Sequence, residues 1–552
     1  MPPSPRWMRC RQARAPPPTR PRFPDPRGSG SDIRGASGQT YGMPPPVLTK
    51  KDMDPQLVDT QPASVAAWLD RLPYTDLAEC GKLLGQGLYH LGRTPLDPMQ
   101  RYKLLKLYLK ALDRYYPLLE NESLHGDALA TPKTRLLAVI SVKLFANLFL
   151  AFKQTLNDKL ARHALLEREQ PKVELLLYTM MAARQYLNIS QQNYCPLSGG
   201  FWLDCHQLYA LAEQNGWLDK AQAGDDALAV IYRQILLLGL TATNRLSPAD
   251  QQLTRQLAYD LARQVELLPA AQLAEPRQGY VLDLQTDAPP RFLPLKPSAE
   301  PSSRYLLELA PALGSMRRSL EQLRKTANGA ASAVLNNEVQ LLGGLLEEWQ
   351  HPRRRKHGRE DAQQMAEVIA GIAGIWHRVN GDSWRPAGAD DDEDSARLRP
   401  PPSPILMSVV NQSASGYLLR GLPREQPLRA GETLLLAPPD NPADSQLCAV
   451  RWVLMQPSGQ EVECGVEILG PAPRPVLAMP SITHSGDSFQ RGLCLNADQD
   501  RPALLLLPGR PFSQLREFRL RDGCGEQMVR VSKLHQQSPH FQLMEYRASD
   551  QF

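Results

Sequence analysis

The sequence predicts a multidomain α+β protein: an N-terminal all-α helical bundle or solenoid, then a C-terminal antiparallel β-barrel with an additional small β region. The chain has 552 residues, enough for several separate cores. Up to about residue 270, apolar residues recur at three- and four-residue steps, which is the spacing of amphipathic helices. Beyond residue 350, short apolar runs alternate with Gly and Pro turns, which is typical of a barrel or sandwich.

Residues 1–42 form a basic tail that we predict to be disordered. They hold eight Arg and two Asp, a net charge of +6, which leaves −1 for the rest of the +5 total. A Pro- and Arg-rich segment with few aliphatic residues cannot bury enough surface to offset its ordering entropy. The nearly neutral body argues against a nucleic-acid-binding protein, which usually presents a basic face. Met43 opens a more ordinary sequence, so Met1 and Met43 are both candidate starts.

The eight cysteines are scattered and form no CxxC pair. The basic tail also lacks the apolar core of a secretion signal, so we expect free thiols in the cytoplasm. Cys205 and His206 are adjacent and Cys195 is near, but no second ligand pair follows at zinc spacing. We therefore predict buried structural residues here and no metal site.

The most apolar run covers residues 136–152 and includes Lys143 and Asn147. It is shorter than the ~20 residues of a membrane span. We predict a buried core helix and no transmembrane segment.

Residues 60–270 are assigned to one helical domain. Within it, residues 99–119 place Tyr102, Leu105 and Leu109 on one face, the stripe of a core-facing helix. The loops are short, so neighbouring helices should pack antiparallel. The predicted helices cover residues 64–72, 99–119, 134–166, 173–187, 201–215, 227–240 and 249–267.

Residues 271–350 are predicted to be a linker with one strand and two helices. Residues 279–284 have the pattern of a strand, and five prolines follow between residues 289 and 301. Helical patterns return over residues 310–324 and 337–349.

Residues 351–470 are assigned to the β-barrel, and residues 471–552 to a C-terminal β-rich domain or an extension of that barrel. Residues 381–404 are an acidic, Pro-rich insertion that we expect to be disordered. The predicted strands cover residues 366–375, 405–410, 417–419, 432–436, 447–455, 463–469, 492–495, 503–507, 517–520 and 527–534.

An arginine cluster precedes the barrel strands. Arg355 and Arg359 form an RxxxR element, and Arg353 and Arg354 add positive charge as secondary ligand-binding candidates. The guanidinium fork pairs two acceptors at once, so it suits both a phosphate and the O6/N7 edge of guanine. Alone, such an element carries little information in a chain this rich in Arg, so its meaning depends on the motif that follows it.

A second polar motif, NxSxxG, joins the apolar runs 405–410 and 417–419. Asn411 and Ser413 would supply small polar contacts at a strand end. Gly416 would permit a positive φ or a close approach of the backbone to a ligand.

The order of these motifs resembles the PilZ domain, the bacterial receptor module for cyclic di-GMP. Residues 428–436, 448–453 and 464–470 resemble the rest of that pattern: a Gly-led strand, an aromatic residue after Val-Arg, and a closing Gly-Val-Glu-Ile-Leu. The resemblance covers residues 353–470, about a fifth of the chain. The sequence departs from the family in the long interval between the motifs and in having Asn rather than Asp at position 411.

The resemblance implies a cytoplasmic regulatory receptor that binds cyclic di-GMP through Arg355, Arg359, Asn411, Ser413 and Gly416. It implies no cofactor and no catalysis, and a protein partner would bind the helical domain. The sequence contains no phosphate-binding P-loop and no GGDEF or EAL signature. A helical scaffold or adaptor, whose degenerate barrel binds protein rather than nucleotide, is the alternative. An enzyme housed in the helical domain is a more distant one.

Overall fold

The computed structural model describes most of the chain beyond residue 58. The described residues are 59–125, 129, 131–162, 168–222, 224–329, 333–352, 358–381, 403–423, 426, 428–482, 488–497, 501–509 and 516–549. The predicted disordered tail (residues 1–42) and most of the acidic insertion (residues 381–404) lie outside these ranges. The predicted class is confirmed: the protein is multidomain α+β, with helices first and closed antiparallel barrels after them.

The N-terminal part is a bundle of helices around one large apolar core. Its helices are α1 (Pro62–Asp70), α2 (Leu77–Arg93), α3 (Pro98–His125), α4 (Pro132–Leu160), α5 (Gln170–Gln192), α6 (Phe201–Gln214), α7 (Leu228–Leu240) and α8 (Pro248–Leu261). Helix α5 is buried along almost all of its length, so it forms the centre of the bundle. Ser and Thr caps begin α4 and α8, each followed by Pro in the first turn.

Helix α2 was not predicted, because it contains four glycines, which are poor helix formers, although Leu84, Leu88 and Leu91 recur at helical spacing. A Cβ on Gly85 would lie 3.5 Å from the Cα of Leu144, and one on Gly92 would lie 3.3 Å from the Cα of Ala151. These glycines therefore let α2 approach the backbone of α4 closely. Helix α4 is long and apolar enough to cross a membrane by length and composition. Its apolar residues are accounted for by packing, since many of them lie in the helical core.

The predicted linker is wrong for the first half of residues 271–350. Those residues contribute three strands to a four-stranded antiparallel sheet of order β1-β4-β2-β3. Pro294 lies in β3, an edge strand, where a missing N–H donor costs no ladder bond. The elements are β1 (Glu266–Pro269), β2 (Arg277–Asp283), β3 (Arg291–Leu295), β4 (Arg304–Glu308), α9 (Ala310–Gly329) and α10 (Ala333–Gln350).

Six strands then form a first closed barrel of order β10-β7-β6-β5-β8-β9. The predicted strand over residues 366–375 is wrong in its second half. Strand β5 ends at Ala370, Gly371 turns the chain with a φ of +83°, and a helix follows. The elements are β5 (Glu360–Ala370), α11 (Ile372–Asn380), β6 (Ile405–Ser413), β7 (Gly416–Gly421), β8 (Thr433–Ala437), β9 (Gln446–Met455) and β10 (Val462–Pro471).

The C-terminal β region is a second closed barrel of order β11-β12-β13-β16-β15-β14. Counted from its first strand, each strand has the same neighbours as its counterpart in the first barrel, so the two barrels share one topology. The elements are β11 (Arg474–Pro480), β12 (Gln490–Leu495), β13 (Leu504–Pro508), β14 (Glu517–Asp522), β15 (Gly525–Gln537) and β16 (Phe541–Ala548).

The two barrels are joined by a shared apolar cluster rather than by a flexible linker. Helix α11 fills the space between them, and the Trp376 indole N–H donates to the carbonyl of Val476 at 3.0 Å. The outer face of the first barrel contributes Leu435, Leu447 and Ala449 to this cluster. Because these residues are buried by the second barrel, the pair is expected to unfold cooperatively.

The helical bundle closes one end of the first barrel. Leu129, Ala138 and Tyr194 belong to the same core as the inward residues of that barrel. The amide of Met455 donates to the carbonyl of Tyr194 at 2.8 Å. A second contact lies just before the first barrel: Trp349 of α10 is 1% exposed, and its indole N–H donates to Thr241 Oγ1 at 3.3 Å. Helix α10 is therefore fixed to the bundle before the chain enters the barrel.

The stability of the barrel pair is expected to depend on pH through His540. Burial and, secondarily, the nearby Arg429 lower the pKa of His540 from 6.5 to about 4. Between these two pH values, the His540 imidazole is protonated in the unfolded chain but neutral in the folded protein. The stabilisation is therefore complete above pH 6.5 and is lost as the pH falls towards 4. Thermal melts between pH 7.5 and 4.5 should show a steeper loss for the wild type than for His540→Gln. Parallel curves would contradict this assignment.

Candidate ligand site on the first barrel

The two predicted motifs meet at one edge of the first barrel. Strand β5 pairs antiparallel with β6, with Glu360 opposite Gln412 and Asp361 opposite Asn411. Arg359 directly precedes Glu360, so the end of the RxxxR element lies beside the end of β6. Arg359 and Gly358 are exposed. The register therefore brings Arg359 together with Asn411 and Ser413, across about 50 residues of intervening sequence.

Strand alternation shows which face these residues share. Val409, Leu419 and Cys464 belong to the barrel interior. A register shift between Val409 and Asn411 places Asn411 opposite Leu418, and Ser413 opposite Gly416. Asn411 and Ser413 are thus on the outer face. Extended by one residue, the β5–β6 register puts Arg359 opposite Ser413 on the same face.

Ser413 stabilises the tight turn between β6 and β7. Its hydroxyl donates to the carbonyl of Gly416 at 3.2 Å and accepts from the amide of Ser415 at 3.4 Å. The carbonyl of Ser415 in turn accepts from the amide of Ile468 in β10 at 3.0 Å. The turn is therefore held in place by its own serine and by the neighbouring strand.

The structure explains the glycine at position 416 differently from the sequence-based expectation of a positive φ or a close approach to a ligand. Its φ is not positive, and the close approach is to β10 rather than to a ligand. A Cβ at this position would lie 2.0 Å from the carbonyl oxygen of Val466 and 3.2 Å from the Cα of Glu467. Glycine is required here because β7 and β10 nearly touch.

The remaining predicted site residues, Arg353, Arg354 and Arg355, lie outside the described residues. Their position is bounded on both sides, since α10 ends at Gln350 and β5 begins at Glu360. We refer to residues 351–359, between these two elements, as the arginine arm. The role of these arginines in ligand binding stays a prediction.

Three residues beyond the sequence motifs share the same outer face. Trp452 in β9 lies opposite Gly465 in β10, and a Cβ on Gly465 would lie 2.1 Å from the Trp452 Nε1. Glu467 lies opposite Gly416. The register passes from Val450 to Trp452, so Arg451 is the extra residue of a β-bulge. The sequence pattern Val-Arg-Trp was visible, but nothing in it signals a bulge.

The candidate zinc ligands are part of the helical core. The Nδ1 of His206 is 2.7 Å from the Tyr232 hydroxyl, and its Nε2 is 3.0 Å from the carbonyl of Ala288. Burial lowers the pKa of His206, and burial also raises the pKa of the Cys205 thiol. Both ring nitrogens of His206 are thus hydrogen-bonded to protein groups, and the Cys205 thiol stays neutral.

A cavity of about 350 Å³ lies beside the four-stranded sheet. Three of its charged lining residues, Asp283, Asp287 and Arg304, are engaged in local structure. Asp287 accepts from the amides of Gly200 and Trp202 at the start of α6, at 2.6 and 3.0 Å. Arg304 pairs with Asp283 at 3.3 Å. These contacts account for the cavity as part of the sheet–bundle junction.

Comparison with known proteins finds similarity at both ends of the chain. Residues 63–272 match a family model described as the N-terminal domain of the cyclic-di-GMP receptor FimW. Residues 477–549 match the FimW C-terminal beta-barrel domain. The cyclic-di-GMP receptor FimW of Pseudomonas aeruginosa is 24% identical, over 91% of this chain and 93% of its own length. The helical bundle and the second barrel thus each resemble part of the same receptor.

Replacing Gly416 by Ala should destabilise the first barrel. The added methyl would force β7 away from the Val466 carbonyl, so we expect the free energy of unfolding to fall by about 1–3 kcal/mol. Gly344→Ala in α10 is the control, since no described atom outside that helix's own backbone lies within 4 Å of a Cβ there. Denaturant titration of both variants checks this. An equal effect of the two substitutions would contradict the close contact.

Proposed function

We propose that this chain is a regulatory receptor for cyclic di-GMP, which it binds on a PilZ-like first barrel. The observation that carries this proposal is the β5–β6 register. It sets Arg359 beside the strand end that holds Asn411 and Ser413. As a receptor the chain would pass on the occupancy of the site rather than turn over its ligand.

The chemistry of the ligand suits this edge. Cyclic di-GMP is a dianion with two guanines, so it needs cations for its phosphates and forked donors for its bases. Arg359 is exposed at the start of β5, and the arm before it holds Arg355. Each guanidinium offers five N–H donors in a planar fork, so the pair can hold a phosphate or a guanine edge.

The three residues of the second motif would have different roles. Asn411 is partly exposed on the outer face, so its amide is available to a ligand. The Ser413 hydroxyl already donates to the Gly416 carbonyl and accepts from the Ser415 amide, so it would act mainly by holding the turn. Gly416 would act by letting β10 approach the turn. A ligand would then find a preformed edge, which lowers the conformational entropy lost on binding.

The similarity to a protein named as a cyclic-di-GMP receptor supports the same ligand. We propose that the helical bundle, residues 60–270, is the partner-binding part of a cytoplasmic protein. A change at the ligand edge would reach it through α10, because Trp349 fixes the end of that helix to the bundle. The arm thus links the ligand edge to the surface that would contact a partner.

Calorimetric titration with cyclic di-GMP tests this function. We expect wild-type protein to bind, and Arg355→Ala and Arg359→Ala each to weaken binding about tenfold or more, since each removes charge-assisted hydrogen bonds. Arg378→Ala is the control, because Arg378 of α11 already pairs with Glu367 of β5 at 3.0 Å.

Two results would change the assignment. No heat at high ligand concentration would favour an adaptor that binds only protein. Unchanged affinity in both arginine variants would place the ligand elsewhere on the chain.

A further inference from the structure

The outer face of the first barrel that carries the NxSxxG turn extends from β6 and β7 across β10 towards the second barrel. Ser413 lies opposite Gly416, and Gly416 lies opposite Glu467. Because neighbouring strands lie about 4.8 Å apart, the Glu467 Cα is about 10 Å from that of Ser413 on the same outer face. A ligand with two bases that rests on the turn would therefore extend towards Glu467.

A carboxylate at this position would repel a dianion unless it were neutralised. Arg451 neutralises it: the guanidinium contacts the Glu467 carboxylate through both Nε and Nη2. The bulge at Arg451 turns this side chain out of the regular strand alternation. The pair is only partly exposed, at 38% for Arg451 and 46% for Glu467.

The second barrel holds the same guanidinium from the other side. Arg451 Nη2 donates to Oε1 of Gln536, in β15, at 2.9 Å. These contacts occupy Nε and Nη2, so among the described residues Nη1 has both of its hydrogens available. The cation is thus oriented by two neighbours from two different barrels while keeping donors for a third group.

We propose that Arg451 is a further cation of the nucleotide site, donating from Nη1 to a phosphate oxygen, and that Gln536 of the second barrel positions it. This inference rests on the proposed cyclic di-GMP binding. Orienting the guanidinium beforehand lowers the entropy lost on binding, so the second barrel contributes to affinity without touching the ligand. By linkage, bound ligand would tighten the contact between the barrels by the same factor.

Three single variants test this proposal by calorimetric titration with cyclic di-GMP. Arg451→Ala should weaken binding about tenfold. Gln536→Ala should weaken it about two- to fivefold, because the cation remains but is no longer held. Gln537→Ala is the matched control: Gln537 accepts from Gln340 of α10 at 2.8 Å, so wild-type affinity is expected. Thermal melts of each variant show that it is folded.

The double variant Arg451→Ala/Glu467→Gln separates contact from neutralisation. If Arg451 acted only by cancelling the Glu467 charge, removing both charges would restore wild-type affinity, and the proposal would be wrong. We expect affinity to stay several-fold below wild type and to depend less steeply on salt, because one phosphate contact is missing.

The two levels of inference fail differently. If wild-type protein does not bind the nucleotide, the proposed function is wrong. If wild type binds, Arg359→Ala weakens binding, and Arg451→Ala and Gln536→Ala both bind like wild type, only the role of Arg451 is wrong.

Discussion

The pairing of β5 with β6 is the constraint on which the candidate site depends. The two strands are separated by a helix and a long insertion, yet their register sets Glu360 against Gln412. A slip of one residue would turn Asn411 and Ser413 inward and would move Arg359 away from them. Inward residues such as Val409 and Leu419 prevent that slip, because burying them fixes which residues face solvent.

A second constraint is the packing of β10 against the turn between β6 and β7. Gly416 allows β7 to lie against β10, and the Ser415 carbonyl accepts the amide of Ile468. The polar turn is thus supported by backbone contacts that any ligand would find already made. The glycine that marks the motif in sequence is explained by packing between strands, and the arginines that mark it are explained by charge.

Much of this architecture could be predicted from local patterns, and the failures have physical causes. Helices such as α5 and α7 were predicted within a few residues because each is a continuous stretch rich in apolar residues, which the fold buries on nearly every side. Helix α2 was missed because close packing against α4 requires glycine, a residue that disfavours helices in isolation. Edge strand β3 was missed because Pro294 is tolerated only where no neighbour needs its N–H.

The candidate site could be predicted only in part, because some of its features are local in sequence and others are not. Motif residues could be picked out one by one, since Arg forks and a polar strand end suit a nucleotide. The spatial proximity of the two motifs could not be derived, because strand register depends on contacts between residues far apart in sequence. The contacts of Arg451 with Glu467 and Gln536 could not be predicted, because a bulge and a contact between two barrels leave no local mark in the sequence.

The two barrels repeat one strand order in tandem, yet they differ in how the chain enters them. Residues 351–359 lead into the first barrel, whereas only residues 472–473 separate β10 from β11. The second barrel therefore has no counterpart of the arginine-bearing segment. Instead it covers part of the outer face of the first barrel and contacts Arg451 through Gln536, so that two barrels of one topology form an asymmetric pair.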